Sequence, residues 1–315
     1  KPGFAPVAGA VEYRRRGAAP ATLAVLYHYV EHQGTAWQHA LDELSRYFER
    51  VAAVSPDATP DPAELVGGFG ETARTLGRRT AEMHLALVDP ANGTAFAPEP
   101  FGKLYQRSIY QEMRNTAGRV VRRLRTEADR SPAAAELLDR THRLDEVFRG
   151  VLDPGLGGAR IRVHGDYHLG RLLHTGRDFV VTDFDGDTVR TVEERRVKRS
   201  PLRDVAGMVR SFDYAARSVL LGLENRKGRA QGVIRPEDVT ALTPWAEAWS
   251  RRVSAEFVAA YTEAMAGSNL LPTSEDGRRA LLAAVLLERA LHELDTELTT
   301  DPPRAAVPLA GLLAM

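Results

Sequence analysis

"RIRVHGDYHLGRLLHTGRDFVVTDFDGD", residues 160–187, carries the densest chemistry in a chain of 315 residues. His164, Asp166 and His168 precede one short apolar run, and Asp183, Asp185 and Asp187 follow the next. Metal capture, phosphate chemistry and turn formation all draw on such residues. A buried carboxylate cluster costs several kcal/mol unless a cation offsets it. An acid-loaded β-loop-β insert inside an otherwise helical body therefore reads as a site rather than as scaffold.

Phosphoryl transfer of the protein-kinase type imposes a specific order on such residues. One Asp accepts the proton of the attacking hydroxyl. An amide five residues on and a further Asp hold Mg²⁺ against the nucleotide phosphates. His164-Gly165-Asp166 supplies the loop head, with Asp166 as the base. A hairpin about Thr175-Gly176 follows, and then Asp183-Phe184-Asp185, which begins 17 residues after Asp166. Asp is also a normal turn residue, but turn formation alone does not place all these parts in register.

The flanking chain reads as strands first and helices after. Val7–Tyr13 and Ala21–Val30 are β-rich runs joined by a turn-forming Gly-Ala-Ala-Pro. Trp37, Leu41, Leu44, Phe48 and Val51 predict one amphipathic helix, and Leu65, Phe69, Leu76, Met83 and Leu87 a second. A loop over 55–62 separates them. Ile109, Met113, Val120 and Leu124 mark a third helix. A fourth begins at Ser131-Pro132, an N-cap followed by a first-turn proline, and ends at "DPGLGG", 153–158. Arg160–Val163 reads as a strand, and Leu172–His174 with Phe179–Thr182 as the hairpin. Beyond Ser200-Pro201 the stripes Val205/Met208/Phe212, Trp245/Trp249/Val253/Phe257 and Leu281/Val285/Leu291/Leu294 return to helix.

Composition narrows the class of protein. Apolar residues make up 43% and charged residues 27%, as in soluble globular chains. Lys+Arg and Asp+Glu are equal at 42 each, so the balance points to neither nucleic acid nor an anionic membrane. The absence of Cys excludes disulfides and thiolate metal sites and fits a reducing, cytoplasmic setting. The longest uncharged apolar run, Ala280–Leu287, is too short to span a bilayer. The chain starts at Lys1 without an apolar leader, which reads as part of something longer.

"HGDYHLGRLL", "FVVTDFDGD" and "EERRVKRSPLRDVAGMVRSFDYAA" resemble the bacterial maltokinases of the aminoglycoside-phosphotransferase superfamily. "PVAGAVEYRRRG", "FAPEPFGKLYQRSIYQEMR" and the terminal "LLERALHELDTELTTDPPRAAVPLAGLL" extend the likeness over essentially the whole chain. The resemblance implies an α+β, protein-kinase-like fold of the aminoglycoside phosphotransferase type. Residues 1–33 would be the end of a truncated, β-rich N-lobe and its hinge. Residues 34–315 would be a mainly helical C-lobe, with catalytic loop 164–171 and metal-binding hairpin 172–187.

The implied reaction is ATP-dependent phosphorylation of maltose at its anomeric hydroxyl, feeding α-glucan synthesis, in a chain fused to or acting with a trehalose synthase. Asp166 would be the base and Asp183 the Mg²⁺ ligand. The hinge at Leu26, Tyr27 and Tyr29 would offer backbone groups to adenine, and His168, Asp185 and Asp187 would meet the sugar. Trp245 or Trp249 could stack on it, although their helical spacing suits core packing better.

The sequence departs from that pattern in three places. The amide after the base is replaced by Arg171. A guanidinium has no lone pair to give a metal, but it can hold a phosphate directly. D-F-D-G-D stands where maltokinases read D-F-E-G-E, and related glucosamine kinases carry D-F-D-G, so an amino sugar is the alternative acceptor. Finally, no phosphate loop and no strand lysine can be placed. These departures also leave open a non-catalytic, sugar-binding domain.

Other motifs carry less. "HGDYH" resembles a metal-hydrolase cluster but lacks a second ligand group. Gly68–Ala73 matches a dinucleotide fingerprint without the preceding strand. The basic run 114–125 is an amphipathic helix, and 193–199 reads as an exposed linker.

Overall fold

Gly34 and Thr35 mark the point where strand gives way to helix. Gly34 takes a φ of +126°, and Thr35 caps the first helix through a reciprocal box with Gln38: 3.3 Å from the Gln38 N–H to Oγ1 and 3.0 Å from the Thr35 N–H to Oε1. The computed structural model describes residues 3–17, 20–54, 61–127, 131–223 and 234–315. Strands β1 (Val7–Tyr13) and β2 (Ala21–Tyr27) form an antiparallel pair that is exposed along most of its length. Then come α1 (Ala36–Ala52), α2 (Pro62–Val66), α3 (Phe69–Leu87), β3 (Glu99–Pro100), α4 (Lys103–Glu127), α5 (Pro132–Asp139) and α6 (His142–Arg149). The acid-loaded insert supplies β4 (Ala159–Arg160), β5 (Leu172–His174) and β6 (Phe179–Val181). The chain closes with α7 (Val192–Arg195), α8 (Leu202–Leu220), α9 (Val239–Ala264), α10 (Glu275–Thr300) and α11 (Ala306–Leu313). The described fold is mixed, mostly helical, with three two-stranded sheets.

Several boundaries differ from the sequence reading. The second helix is broken at Gly67 (φ +62°) into α2 and α3. The fourth is broken after Asp139, where Thr141 Oγ1 takes up the Leu138 carbonyl (2.8 Å) that a continuing helix would have used. The strand expected over 160–163 reduces to β4, with Ile161 exchanging both backbone bonds with Arg199 at 2.8 Å. That exchange ties down 193–199, which is therefore not a free linker. Lys198 Nζ meets Glu99 Oε1 at 2.8 Å. Most of the 55–62 loop, and Ala18 and Ala19 of the first turn, lie outside the described residues. Trp249 is fully buried between Phe69 and its neighbours, and Trp245 packs against the same core, so neither faces the site. Among the described residues no helix is long and apolar enough to cross a membrane.

What positions the insert is one face of α8. Asp204, Gly207 and Ser211 recur at steps of three and four, on a single helical stripe. The Asp204 carboxylate accepts the backbone N–H of His164 (2.7 Å) and of Gly165 (2.9 Å). Ser211 Oγ accepts that of Leu169 (3.2 Å). Gly207 lies under the Tyr167 carbonyl, where any Cβ would fall inside the oxygen's van der Waals radius. His84 of α3 donates from Nε2 to the same Asp204 (3.0 Å), and its Nδ1 accepts from the Tyr261 hydroxyl (2.9 Å). Burial opposes the charge on Asp204, but His84 and the loop N–H groups outweigh it and hold its pKa below the ordinary value of 3.8.

A carboxyl with a depressed folded pKa contributes stability above its unfolded value and loses it as pH falls. Asp204→Asn turns one acceptor into a donor facing donors, so it should lower the unfolding free energy at neutral pH by about 3 kcal/mol. In urea titrations the deficit should shrink as pH falls below the ordinary Asp range. Equal midpoints at neutral pH would remove Asp204 from this role.

Candidate active site

The insert brings its two acidic ends together through backbone bonds. Thr182 donates its N–H to the Arg171 carbonyl (2.9 Å), closing loop 164–171 onto the end of β6. His164, almost wholly buried, donates from Nε2 to the Thr182 carbonyl (2.8 Å) while its own N–H is held by Asp204. The hairpin turn is pinned to α3 by Arg79, whose fork meets both Asp178 oxygens at 2.7 and 2.8 Å. Asp183 then adopts a φ of +58°, a left-handed conformation rare for a non-glycine residue.

Arg171 sits between the two catalytic candidates. Its Nε and Nη2 donate to Asp166 Oδ2 at 3.2 and 2.6 Å, and its Nη1 donates to Asp183 Oδ2 at 3.1 Å. Arg289 of α10 approaches the other Asp166 oxygen at 3.4 Å. His168 takes the Gly170 N–H on Nδ1 (3.1 Å), so its proton is carried on Nε2, which faces Asp166 Oδ2 at 3.7 Å. Burial works against ionisation of Asp166. The His168 imidazole, the Arg171 guanidinium and the charge of Arg289 outweigh it and hold the carboxyl far below the usual Asp range.

Beside Asp166 opens a cavity of about 510 Å³. Asp166, His168 and Asp187 all line it. Asp187 is buried, accepts the Val189 N–H (3.1 Å) and faces His292 Nε2 at 3.4 Å. Burial again opposes the charge, yet His292 chiefly brings its pKa down to about 2. Trp37 and Tyr214 stand on one wall with ring centroids 6.2 Å apart. Glu297 on α10 accepts the Tyr214 hydroxyl at 2.6 Å. Acid groups and an aromatic pair, beside Arg289 and His292, make a surface suited to a polyhydroxylated ligand.

The other sequence-named residues lie elsewhere. Asp185 is exposed and does not line the cavity, and its carbonyl takes Arg195 Nη1 at 3.0 Å. Leu26 and Tyr29 are exposed near the end of β2. Tyr27 is half-buried, and burial together with the charges of Asp183 and Asp185 raises its pKa, which places its ring near that acidic segment. Sequence reading missed Asp204, Arg289, His292 and Tyr214. It assigned Trp37 to the apolar helix stripe. The one available signal was polar Asp204 and Ser211 inside the apolar stripe of α8.

The kinase-type pattern holds a divalent ion with the Asp at the position of Asp183 and an amide oxygen at the position of Arg171. Position 171 offers nitrogen donors with protons instead. No group of three or more His, Cys, Asp or Glu suited to a metal occurs among the described residues. The donor set present does not fit the ion.

No family model matches the chain. It is 28% identical over 206 residues to a glucosamine kinase of Streptacidiphilus jiangxiensis, a match covering 65% of this chain and 41% of that protein. It is 31% identical over 184 residues to a glucosamine kinase of Mycolicibacterium smegmatis, covering 58% and 42%. These matches span less than half the length of either curated relative. Among solved structures, a glucosamine kinase in complex with glucosamine, ADP and inorganic phosphate superposes with a TM-score of 0.74 at 22% identity, over 99% of this chain and 68% of that one. A second crystal form of a glucosamine kinase gives 0.72 at 21% identity. The relatives found are thus glucosamine kinases, the alternative of the sequence reading, and the chain shares the fold of the solved ones.

Proposed function

We propose that the chain is the acceptor-binding and catalytic part of an ATP-dependent sugar phosphotransferase whose acceptor is an amino sugar of the glucosamine type. The observation that carries this reading is the placement of Asp166 at the edge of a cavity that also holds Asp187, Glu297 and the Trp37/Tyr214 pair. A hydroxyl of the acceptor would hydrogen-bond to the Asp166 carboxylate and lose its proton to it as the phosphoryl group arrives. The low pKa of Asp166 keeps it ionised and makes it a late, weak base, which suits a loose transition state. The acidic wall favours an ammonium sugar over maltose, in line with the relatives. The end of β2 beside Asp183 and Asp185 is where the adenine nucleotide would enter.

A second reading has its own observation. Because Arg171 already bonds both carboxylates, the cavity could serve sugar binding without turnover. ADP release with ATP and glucosamine, beside calorimetry with glucosamine alone, separates the two. Release and binding together support the enzyme, and binding without release supports the second reading.

Asp166→Asn should cut turnover by about 10² to 10⁴-fold and leave glucosamine binding nearly unchanged. Near-normal turnover would sink the mechanism. Glu297→Gln should weaken binding of glucosamine by about tenfold, which is about 1.4 kcal/mol, and leave glucose unaffected. An equal loss for both sugars would remove the ammonium contact.

A further inference from the structure

We infer that the positive charge of Arg171 fills the place of a divalent cation, so that the chain excludes the metal there and meets a phosphate group with a guanidinium instead. The exclusion rests on geometry alone. The phosphate contact rests on the phosphotransferase reading above, and the two are measured separately.

A guanidinium carries five N–H groups and no acceptor. Three of Arg171's bond the carboxylates, two to Asp166 Oδ2 and one to Asp183 Oδ2. One N–H on Nη1 and one on Nη2 remain, on a side chain still 27% exposed. An ion bound at Asp183 Oδ2 would have to displace the Nη1 contact, and one bound at Oδ1 would still sit beside the guanidinium's like charge. The Arg171 backbone is fixed by its carbonyl, which accepts from both the N–H and the hydroxyl of Thr182 at 2.9 and 3.2 Å, and the guanidinium itself is held by its three bonds to the two carboxylates. A phosphate oxygen has no such conflict. It is attracted by the same charge and can accept from the N–H groups that remain.

Mn²⁺ uptake, followed by electron paramagnetic resonance on the whole chain, tests the exclusion. The wild type should take up no ion through Asp183. Arg171→Gln should gain one site, at least about 10-fold tighter than any residual uptake by the wild type, a neighbouring unit charge being worth one to three log units even for a proton. Adding Asp183→Asn should abolish that site. Arg171→Lys, which keeps the charge, should behave as the wild type. Asp183-dependent uptake by the wild type overturns the inference. So does its absence from Arg171→Gln, or uptake by Arg171→Lys equal to that of Arg171→Gln.

Calorimetry with inorganic pyrophosphate in EDTA tests the anion contact. Binding by the wild type that Arg171→Gln loses is the expected result. Equal binding by both, or none by the wild type, overturns the contact. Neither experiment involves a sugar, so failure here and failure of the amino-sugar reading give different signatures.

Discussion

One buried carboxylate holds the site in place. The loop from His164 to Arg171 is too short and irregular to satisfy its own backbone, and its first residue, His164, is buried away from water. Asp204 answers two of its N–H groups, Ser211 a third, and Gly207 makes room for a carbonyl that any larger residue would push out. The position of Asp166 is therefore set by the face of a rigid helix, not by the loop that carries it. His84 and Tyr261 extend the same network into α3 and α9, and displacing Asp204 would strand donors on the loop and on α3 at once.

The second organising feature is an alternating file of charges. It begins at Asp183 and runs through Arg171, Asp166, Arg289, Glu293, Arg210, Asp213 and Arg217 to Glu247, with each neighbouring pair 2.6 to 3.4 Å apart. Arg210 and Arg217 are nearly inaccessible, and their charges are tolerable only because acids flank each of them. At the open end the same rule applies with less burial. Without Arg171, Asp166 and Asp183 would face one another across the cleft with nothing between them. In this chain a guanidinium does there what an ion could otherwise do.

Much of this was legible in the sequence, and the reasons are physical. His164-Gly165-Asp166, the hairpin and Asp183 announce themselves because local register constrains them. The stripe of α1 and the Pro/Ser start of α5 follow from helix period and capping. Helix ends were less readable, since Gly67 and Thr141 break helices that apolar periodicity alone would have continued. The acceptor wall was hardest. Tyr214, Glu297 and His292 come from α8 and α10, far along the chain from Asp166, and only packing brings them together. Trp37 misled because a side chain on a helix's apolar stripe can as easily wall a cavity as fill the core. Trp249, at similar spacing, does fill it.

The two oxygens of Asp166 face different tasks. Oδ2 takes both arms of Arg171 on the side of Asp183, where a phosphate would approach. Oδ1 has only the long contact to Arg289, whose side chain lines the cavity. A hydroxyl entering from the cavity can reach Oδ1 without breaking the stronger pair. On the phosphotransferase reading, one carboxylate thus joins the donor and acceptor sides. Arg171 fixes its plane from the donor side, and the weakly held oxygen is left free to receive the proton.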